Sequence, residues 1–328
     1  MKLKSMAAML LVAFCTFICC SCSKKVINTQ NDKALNIVVT IFPAYDFARE
    51  ITGGEANIHM LIKPGSEIHS YEPTPNDIKL INSCDVFVYV GGESDDWIDG
   101  VLETVENSSM RTVKMIDCVE KQEEEIVEGM QTAEDAHDHD HEEIASEGAN
   151  EVHEYDEHVW TSPVNAIKIS QAMTEAFMDA DTEDSQKYSA NMKSYENRLL
   201  ALDKKFRAVV DSGKRKTMVF GDRFPLLYFA KEYGLDYYAA YPGCTEESEP
   251  NIATVAFLIE KVKSENIPVV FHIELSNEKM TDTICEETGA EKMLFSSCHN
   301  VTAEQFEQGI TYIELMENNL TALQKALN

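Results

Sequence analysis

The run Glu134–Glu143 reads Glu-Asp-Ala-His-Asp-His-Asp-His-Glu-Glu and places three of the chain's nine histidines, His137, His139 and His141, at alternate positions among carboxylates. On an extended backbone alternate side chains project to one side, and imidazole is a good ligand for zinc and its transition-metal neighbours. Such a run can attract and chelate cations, and His153 follows it in the same acidic stretch. A solvated acidic loop whose histidines have no role is the plain alternative.

Two other histidines stand in loops whose exits are pinned. His69 lies in Pro64-Gly-Ser-Glu-Ile-His-Ser-Tyr-Glu-Pro-Thr-Pro75, where Thr74 can cap a helix with Pro75 at its first position and Asp77 in its first turn. His158 lies in Asp156-Glu-His-Val-Trp-Thr-Ser-Pro163, where Ser162 and Pro163 repeat the device four residues after the histidine. Taken singly, a histidine in such a place is more often a surface or satisfied side chain than a ligand. Glu67, Glu72 and Glu157 are the carboxylates beside them that could orient an imidazole ring.

The elements that must position these residues follow a strand and helix grammar. Asn36–Phe42, Ile58–Ile62 and Asp85–Val90 read as strands, with helices at Tyr45–Ile51 and from Pro75 to about Asn82. In the second half Thr217–Phe220, Pro268–Ile273 and Met293–Phe295 read as strands, and Ile252–Ser264, Glu278–Thr288 and Ala303–Ala326 as helices. Apolar strands alternating with helices imply an α/β fold with mainly parallel sheets covered on both faces. Between the halves, Thr182–Ser212 contains neither Gly nor Pro, and Tyr188, Met192, Tyr195, Leu199, Leu202, Phe206 and Val209 recur at steps of four and three. That is one stripe of a helix about 40 Å long, able to brace two lobes. The stripe is short for a coiled coil and includes two tyrosines, which favours a brace within a monomer over a dimer seam.

The first residues set the compartment. Lys2 and Lys4 precede an apolar run, Met6–Cys20, that is too short to span a bilayer and suits a signal-peptide core. Ser21-Cys22-Ser-Lys-Lys follows and resembles a bacterial lipobox, which makes Cys22 the expected lipid anchor and the protein extracytoplasmic and tethered to the cell membrane. The formal charge of −29 excludes nucleic acid as a partner and suits cations. Cys84, Cys118, Cys244, Cys285 and Cys298 lack zinc-finger spacing; a Cys285–Cys298 disulfide is conceivable, and buried thiols are as plausible.

Pro64-Gly65 with His69-Ser-Tyr-Glu-Pro-Thr-Pro75, and the later Asp156-Glu-His-Val-Trp-Thr-Ser-Pro163, resemble the two histidine motifs of the cluster A-I solute-binding proteins of zinc and manganese ABC importers. The resemblance runs from about Leu35 to the C-terminus. It implies two α/β lobes joined by one long helix, with metal bound in the cleft between them, and an acidic His-rich loop is typical of the zinc-specific members. The expected organisation is a signal peptide over 1–22, a tether over 23–34, an N-terminal lobe over 35–181 that includes an acidic His-rich loop over 119–155, a linking helix over 182–213 and a C-terminal lobe over 214–328.

The second half departs from the family pattern where a third ligand is expected. Family members carry a histidine or glutamate after the first strand of that lobe, whereas this chain has Val219-Phe-Gly-Asp-Arg-Phe-Pro-Leu-Leu-Tyr228, with Asp222 beside Arg223. His272, in Phe271-His-Ile-Glu274, is the preferred third ligand, because a strand end of an open α/β lobe opens into the binding crevice. Asp222, Glu274 and His299 are candidates for the fourth. Three imidazoles favour Zn²⁺, and an oxygen-rich set would admit Mn²⁺.

The reading that results is a lipoprotein that captures Zn²⁺ for an ABC permease and its ATPase subunit. A manganese receptor of the same family and a surface zinc chelator are the alternatives. An exported zinc hydrolase ranks last: His137-Asp-His-Asp-His141 departs from the hydrolase zinc motif at its Asp-His pair, and the chain has no His-Glu-x-x-His and no Gly-x-Ser-x-Gly.

Overall fold

Short apolar runs form two sheets, one in each half of the chain. In the computed structural model, which describes residues 34–66, 71–130, 155–243 and 251–328, the first sheet contains β1 (Asn36–Val39), β2 (Asn57–Met60), β3 (Val86–Tyr89) and β4 (Arg111–Lys114), in the order β2-β1-β3-β4. The second contains β5 (Thr217–Phe224), β6 (Asp236–Pro242), β7 (Val269–His272) and β8 (Glu291–Leu294), in the order β6-β5-β7-β8. Every pairing in both sheets is parallel. Parallel neighbours require crossovers, and helices supply them. Those of the first lobe are α1 (Phe42–Thr52), α2 (Pro75–Ser83) and α3 (Trp97–Leu102). The sequence then runs through α4 (Pro163–Ala180) and α5 (Ser185–Ser212) into α6 (Leu227–Tyr233), α7 (Ile252–Glu265) and α8 (Lys279–Thr288), and ends in α9 (Ala303–Glu307) and α10 (Tyr312–Ala326).

The Thr-Pro and Ser-Pro pairs act as helix starts. Thr74 Oγ1 accepts from Asp77 N at 3.3 Å while Asp77 Oδ2 accepts from Thr74 N at 2.8 Å, and Ser162 Oγ accepts from Asn165 N at 3.3 Å. The chain departs from expectation at several places. The first strand ends at Val39, because helix α1, with Pro43 in its first turn, takes over Phe42. Strands β4 and β6 carried no strand signal: β4 buries only Val113, and β6 is Asp-Tyr-Tyr-Ala-Ala-Tyr-Pro, without Val or Ile. The helix expected over Ala303–Ala326 is two helices, parted at Gly309, whose φ of +75° a glycine adopts without strain.

Helix α5 has 28 residues and is therefore about 42 Å long. Its stripe of Tyr188, Met192, Tyr195, Leu199, Leu202 and Phe206 is buried, and Val210 rather than Val209 completes it. The helix packs on α1 and α4 with one part of its length and on α6 and α10 with another. Polar contacts mark both ends: Asn191 Nδ2 donates to Ile51 O at 3.0 Å and Arg198 pairs with Glu50, while Arg207 pairs with Glu232 and Lys205 with Glu317 at 2.5 Å. Exposed ion pairs of this kind contribute little, so the apolar stripe carries the brace. A second seam joins α1 to α10. The buried Asp46 carboxylate accepts from Arg49 at 2.5 Å and from Tyr312 N at 2.8 Å.

Cys84, Cys118, Cys285 and Cys298 are free thiols, so no disulfide joins Cys285 to Cys298. No helix among the described residues is long and apolar enough to cross a membrane. Leu199 is fully buried in the stripe. Leu199→Ala is expected to lower stability by about 3 kcal/mol, through lost transfer energy and the cavity left behind, read as a shifted midpoint of urea unfolding.

Candidate metal centre

Between the two sheets an open pocket is lined by His158, Glu274 and His299 together with Ser66, Arg223, Gly243, Leu275, Ser297 and Asn300. His158 precedes a single 3₁₀ turn, Val159–Thr161, whose Thr161 N–H and hydroxyl both bond to His158 O, and Ser162 then caps α4. The histidine is thus fixed by a tight turn running straight into an 18-residue helix. Its ring is oriented by Asp156, whose Oδ1 accepts from the His158 amide at 2.7 Å and lies 3.2 Å from Nδ1. A carboxylate can only accept, so Nδ1 carries the proton of the neutral ring and Nε2 the lone pair. Burial opposes a charged ring here, yet Asp156, aided by Glu157 and Glu124, holds the His158 pKa above its ordinary value.

Trp160 joins the two pocket histidines. Its ring centroid lies 5.4 Å from that of His158 and 4.7 Å from that of His299, and the two imidazoles stand perpendicular with centroids 5.2 Å apart. The indole Nε1 donates to Ser297 O at 2.8 Å, and Tyr312 donates from its hydroxyl to Trp160 O at 2.8 Å. Glu274, just past the end of β7, holds the His299 loop from the other side. Its Oε2 accepts from Ser297 N at 2.7 Å, and its Oε1 from Ser297 Oγ at 2.7 Å and His299 N at 2.9 Å. Both carboxylate oxygens are therefore engaged in shaping the loop.

Two of the other expected residues are not brought to the pocket. His272 sits half-buried on β7 with Nδ1 3.1 Å from Ile273 O and 3.8 Å from Glu278. His272 is not among the residues that line the pocket, whereas His299 lines it beside His158. Asp222 accepts from Arg223 N at 2.9 Å and Ile273 N at 3.2 Å, joining β5 to the end of β7 outside the pocket. Glu157 bonds Ser94 through both oxygens, so Asp156 and not Glu157 orients the His158 ring. His69, the run of His137, His139 and His141, His153 and Cys22 lie outside the described residues. Among the described residues no group of three or more His, Cys, Asp or Glu side chains is placed to hold a metal ion.

Sequence reasoning missed Arg223, Asn300 and Gly243 as pocket residues. Arg223 stands beside the candidate ligand Asp222, and a guanidinium, which only donates, gives no residue-type signal of a cation site. Gly243 carries a legible reason only in three dimensions: a Cβ there would lie 3.0 Å from Phe224 O and 3.3 Å from the His158 ring.

Two parallel-sheeted lobes braced by one long helix, with the pocket histidines between them, define a solute-binding protein with a rigid brace. From residue 37 to residue 326 the chain matches the family model described as ZnuA, zinc-uptake complex component A, periplasmic, and it belongs to that family. It is 32% identical over 319 residues to the zinc-binding lipoprotein AdcA of Streptococcus pneumoniae serotype 4, a match covering 97% of this chain and 60% of that protein. It is 29% identical over 336 residues to the high-affinity zinc uptake system protein ZnuA of Bacillus subtilis strain 168, covering 99% and 98%. The chain thus spans about 60% of the length of the AdcA lipoproteins and nearly all of the Bacillus protein. Among solved structures, the Zn(II)-bound ZnuA-like domain of Streptococcus pneumoniae AdcA superposes with a TM-score of 0.72 at 27% identity, covering 90% of this chain and 99% of that one. The metal-dependent lipoprotein YcdH of Bacillus subtilis gives 0.73 at 27%, covering 89% and 99%. The family is one of uptake receptors and not of enzymes.

Behind His158 the first lobe buries further carboxylates. Asp95 accepts from Val90 N at 2.8 Å and Gly91 N at 3.0 Å, and burial, with Glu157 nearby, pushes its pKa up to about 6. A carboxyl that binds its proton more tightly when folded adds stability at low pH, and that contribution is lost as pH rises from about 4 through about 6. Asp95→Asn, which keeps an acceptor for both amides, is expected to flatten the fall in melting temperature between pH 4 and pH 7 relative to wild type.

Proposed function

We propose that the protein is an extracytoplasmic receptor that captures Zn²⁺ in the interlobe pocket and hands it to an ABC permease driven by its ATPase subunit. The observation that carries this reading is the pair of imidazoles His158 and His299 with centroids 5.2 Å apart. Two imidazoles bound in plane to one tetrahedral ion at about 2.0–2.1 Å would have centroids about 5 Å apart, so the spacing suits a shared zinc ion. The Asp156 carboxylate behind Nδ1 supports it further, since a metal-bound imidazole is characteristically oriented by an acceptor on its other nitrogen. The zinc-binding and zinc-uptake relatives point the same way.

In this reading His158 and His299 are ligands, and His69, from the loop after β2, is the third. His272, Asp222 and Glu274 are not needed as ligands: the first two do not line the pocket, and Glu274 shapes the loop that carries His299. Imidazole ligation favours zinc over manganese. The lobe boundaries follow the linking helix, with the N-terminal lobe ending near residue 181 and the C-terminal lobe starting near 214. Cys22 is the lipid anchor, and the molecule works as a monomer.

The His-rich run serves as an auxiliary collector. Its flanks are joined beside the pocket: Asp156 N donates to Gln122 O at 3.0 Å, Glu123 pairs with Tyr155, and the Tyr228 hydroxyl accepts from Gln122 N at 3.1 Å while donating to Asp156 O at 3.0 Å. In this reading His137, His139, His141 and His153 bind ions weakly and raise their concentration around the receptor.

Zinc stoichiometry and affinity measured by chelator competition test this reading. One tight site should be lost in His158→Ala and in His299→Ala and kept when Glu134–Glu143 is deleted; loss on the deletion alone would make the protein a surface chelator. Arg223 supplies a second check. A fixed positive charge lining a pocket for a dication is repulsive, so Arg223→Gln is expected to tighten zinc binding by about tenfold or less, as a drop in the dissociation constant.

A further inference from the structure

The segment Ser296–Val301 carries His299 and is held along its whole length. Ser296 N donates to Asn319 Oδ1 at 2.8 Å, and Asn319 Nδ2 donates back to Ser296 O at 2.8 Å. Ser297 is gripped by Glu274 and Trp160 as described above, and Cys298 is kept at a φ of +60°, a left-handed conformation that a side chain bearing a Cβ resists. Such a backbone persists only where its surroundings over-determine it.

At the end of this segment one side chain reaches into the other lobe. Asn300 Nδ2 donates to Lys63 O at 3.0 Å and to Ser66 O at 2.8 Å, and Val301 O accepts from Gly65 N at 2.7 Å. Asn300 Oδ1 is used locally, accepting from Val301 N at 2.8 Å. Lys63–Ser66 is the turn that follows β2, with Gly65 at a φ of +80°, and Asn300 is buried against it. The two hydrogens of one amide thus bond Ser66 O and add a second bond to Lys63 O, which also accepts from Ser66 N at 3.1 Å within the turn. Both Ser66 and Asn300 line the pocket.

We propose that Asn300 is a positioning residue that locks the His299 segment of the C-terminal lobe to the Lys63–Ser66 turn of the N-terminal lobe, so that both pocket walls are set before zinc arrives. The inference rests on the zinc-receptor reading and adds to it the means by which two lobes hold one rigid site. A pocket assembled from separate elements otherwise loses affinity to the ordering it must undergo on binding, and fixing those elements in advance acts mainly on the rate of release. The chemistry of the clamp is specific to an amide. A carboxylate at position 300 keeps the bond from Val301 N and loses both donors.

The test compares zinc dissociation from the full chain, followed by transfer to an excess of chelating dye, in wild type, Asn300→Asp, Asn300→Ala and Leu258→Ala, a core variant on α7 outside both the brace and the pocket lining. Melting temperatures and the exchange rate of the Gly65 amide are measured alongside. Both Asn300 variants should release zinc about tenfold faster or more and exchange the Gly65 amide faster, while Leu258→Ala melts earlier with dissociation unchanged. Dissociation within about twofold of wild type in both Asn300 variants, or an equal acceleration in Leu258→Ala, would overturn the proposal while leaving the receptor reading intact. A wild-type protein that binds no zinc would overturn both.

Discussion

Trp160 is the residue on which the arrangement of the site depends. It is fully buried, its ring lies against both His158 and His299, its indole N–H holds the Ser297 carbonyl, and its own carbonyl accepts from Tyr312. The first lobe, the His299 loop and the C-terminal helix thus meet on one residue, through its ring and its carbonyl. A large aromatic surface supplies apolar burial, and a single polar atom at its edge fixes orientation. The two imidazoles can face one another because neither lobe is free to slide past this ring.

The rest of the molecule can be understood as maintaining that junction. Helix α5 packs on α1 and α4 as well as on α6 and α10, so its apolar stripe belongs to both lobes at once. The Asp46 carboxylate joins α1 to the start of α10, and Asn300 joins the His299 segment to the turn after β2. These seams lie at several points around the pocket and differ in chemistry. A brace distributed in this way favours small adjustments at the pocket over wide hinge motion, in keeping with the proposed capture of a single ion, which offers little surface to drive closure.

The electrostatics around the pocket are layered in the same manner. Asp156 touches the His158 ring, Glu157 turns away to Ser94, and Asp95 lies deeper, bonded to backbone amides. Acidic groups behind an imidazole raise its basicity and its strength as a donor. Arg223 in the same pocket acts in the opposite direction. In the receptor proposed above, the carboxylate behind His158 and the guanidinium in the same pocket pull in opposite directions on a bound dication.

Much of this was legible in the amino-acid sequence. The apolar runs declared strands and the Thr-Pro and Ser-Pro pairs declared helix starts, because burial, capping and the fixed φ of proline are properties of neighbouring residues. The unbroken stripe from Tyr188 to Phe206 declared the brace for the same reason, and the setting of His158 before a cap marked it as a fixed histidine. Strands β4 and β6 escaped notice because edge pairing, not composition, makes them strands. Where His272, Asp222, Glu274 and His299 sit relative to the pocket belonged to the tertiary structure alone. Which carboxylate is occupied by backbone amides, and which loop Trp160 presses against His158, depend on contacts between residues 23 to 137 positions apart, and no local pattern encodes those.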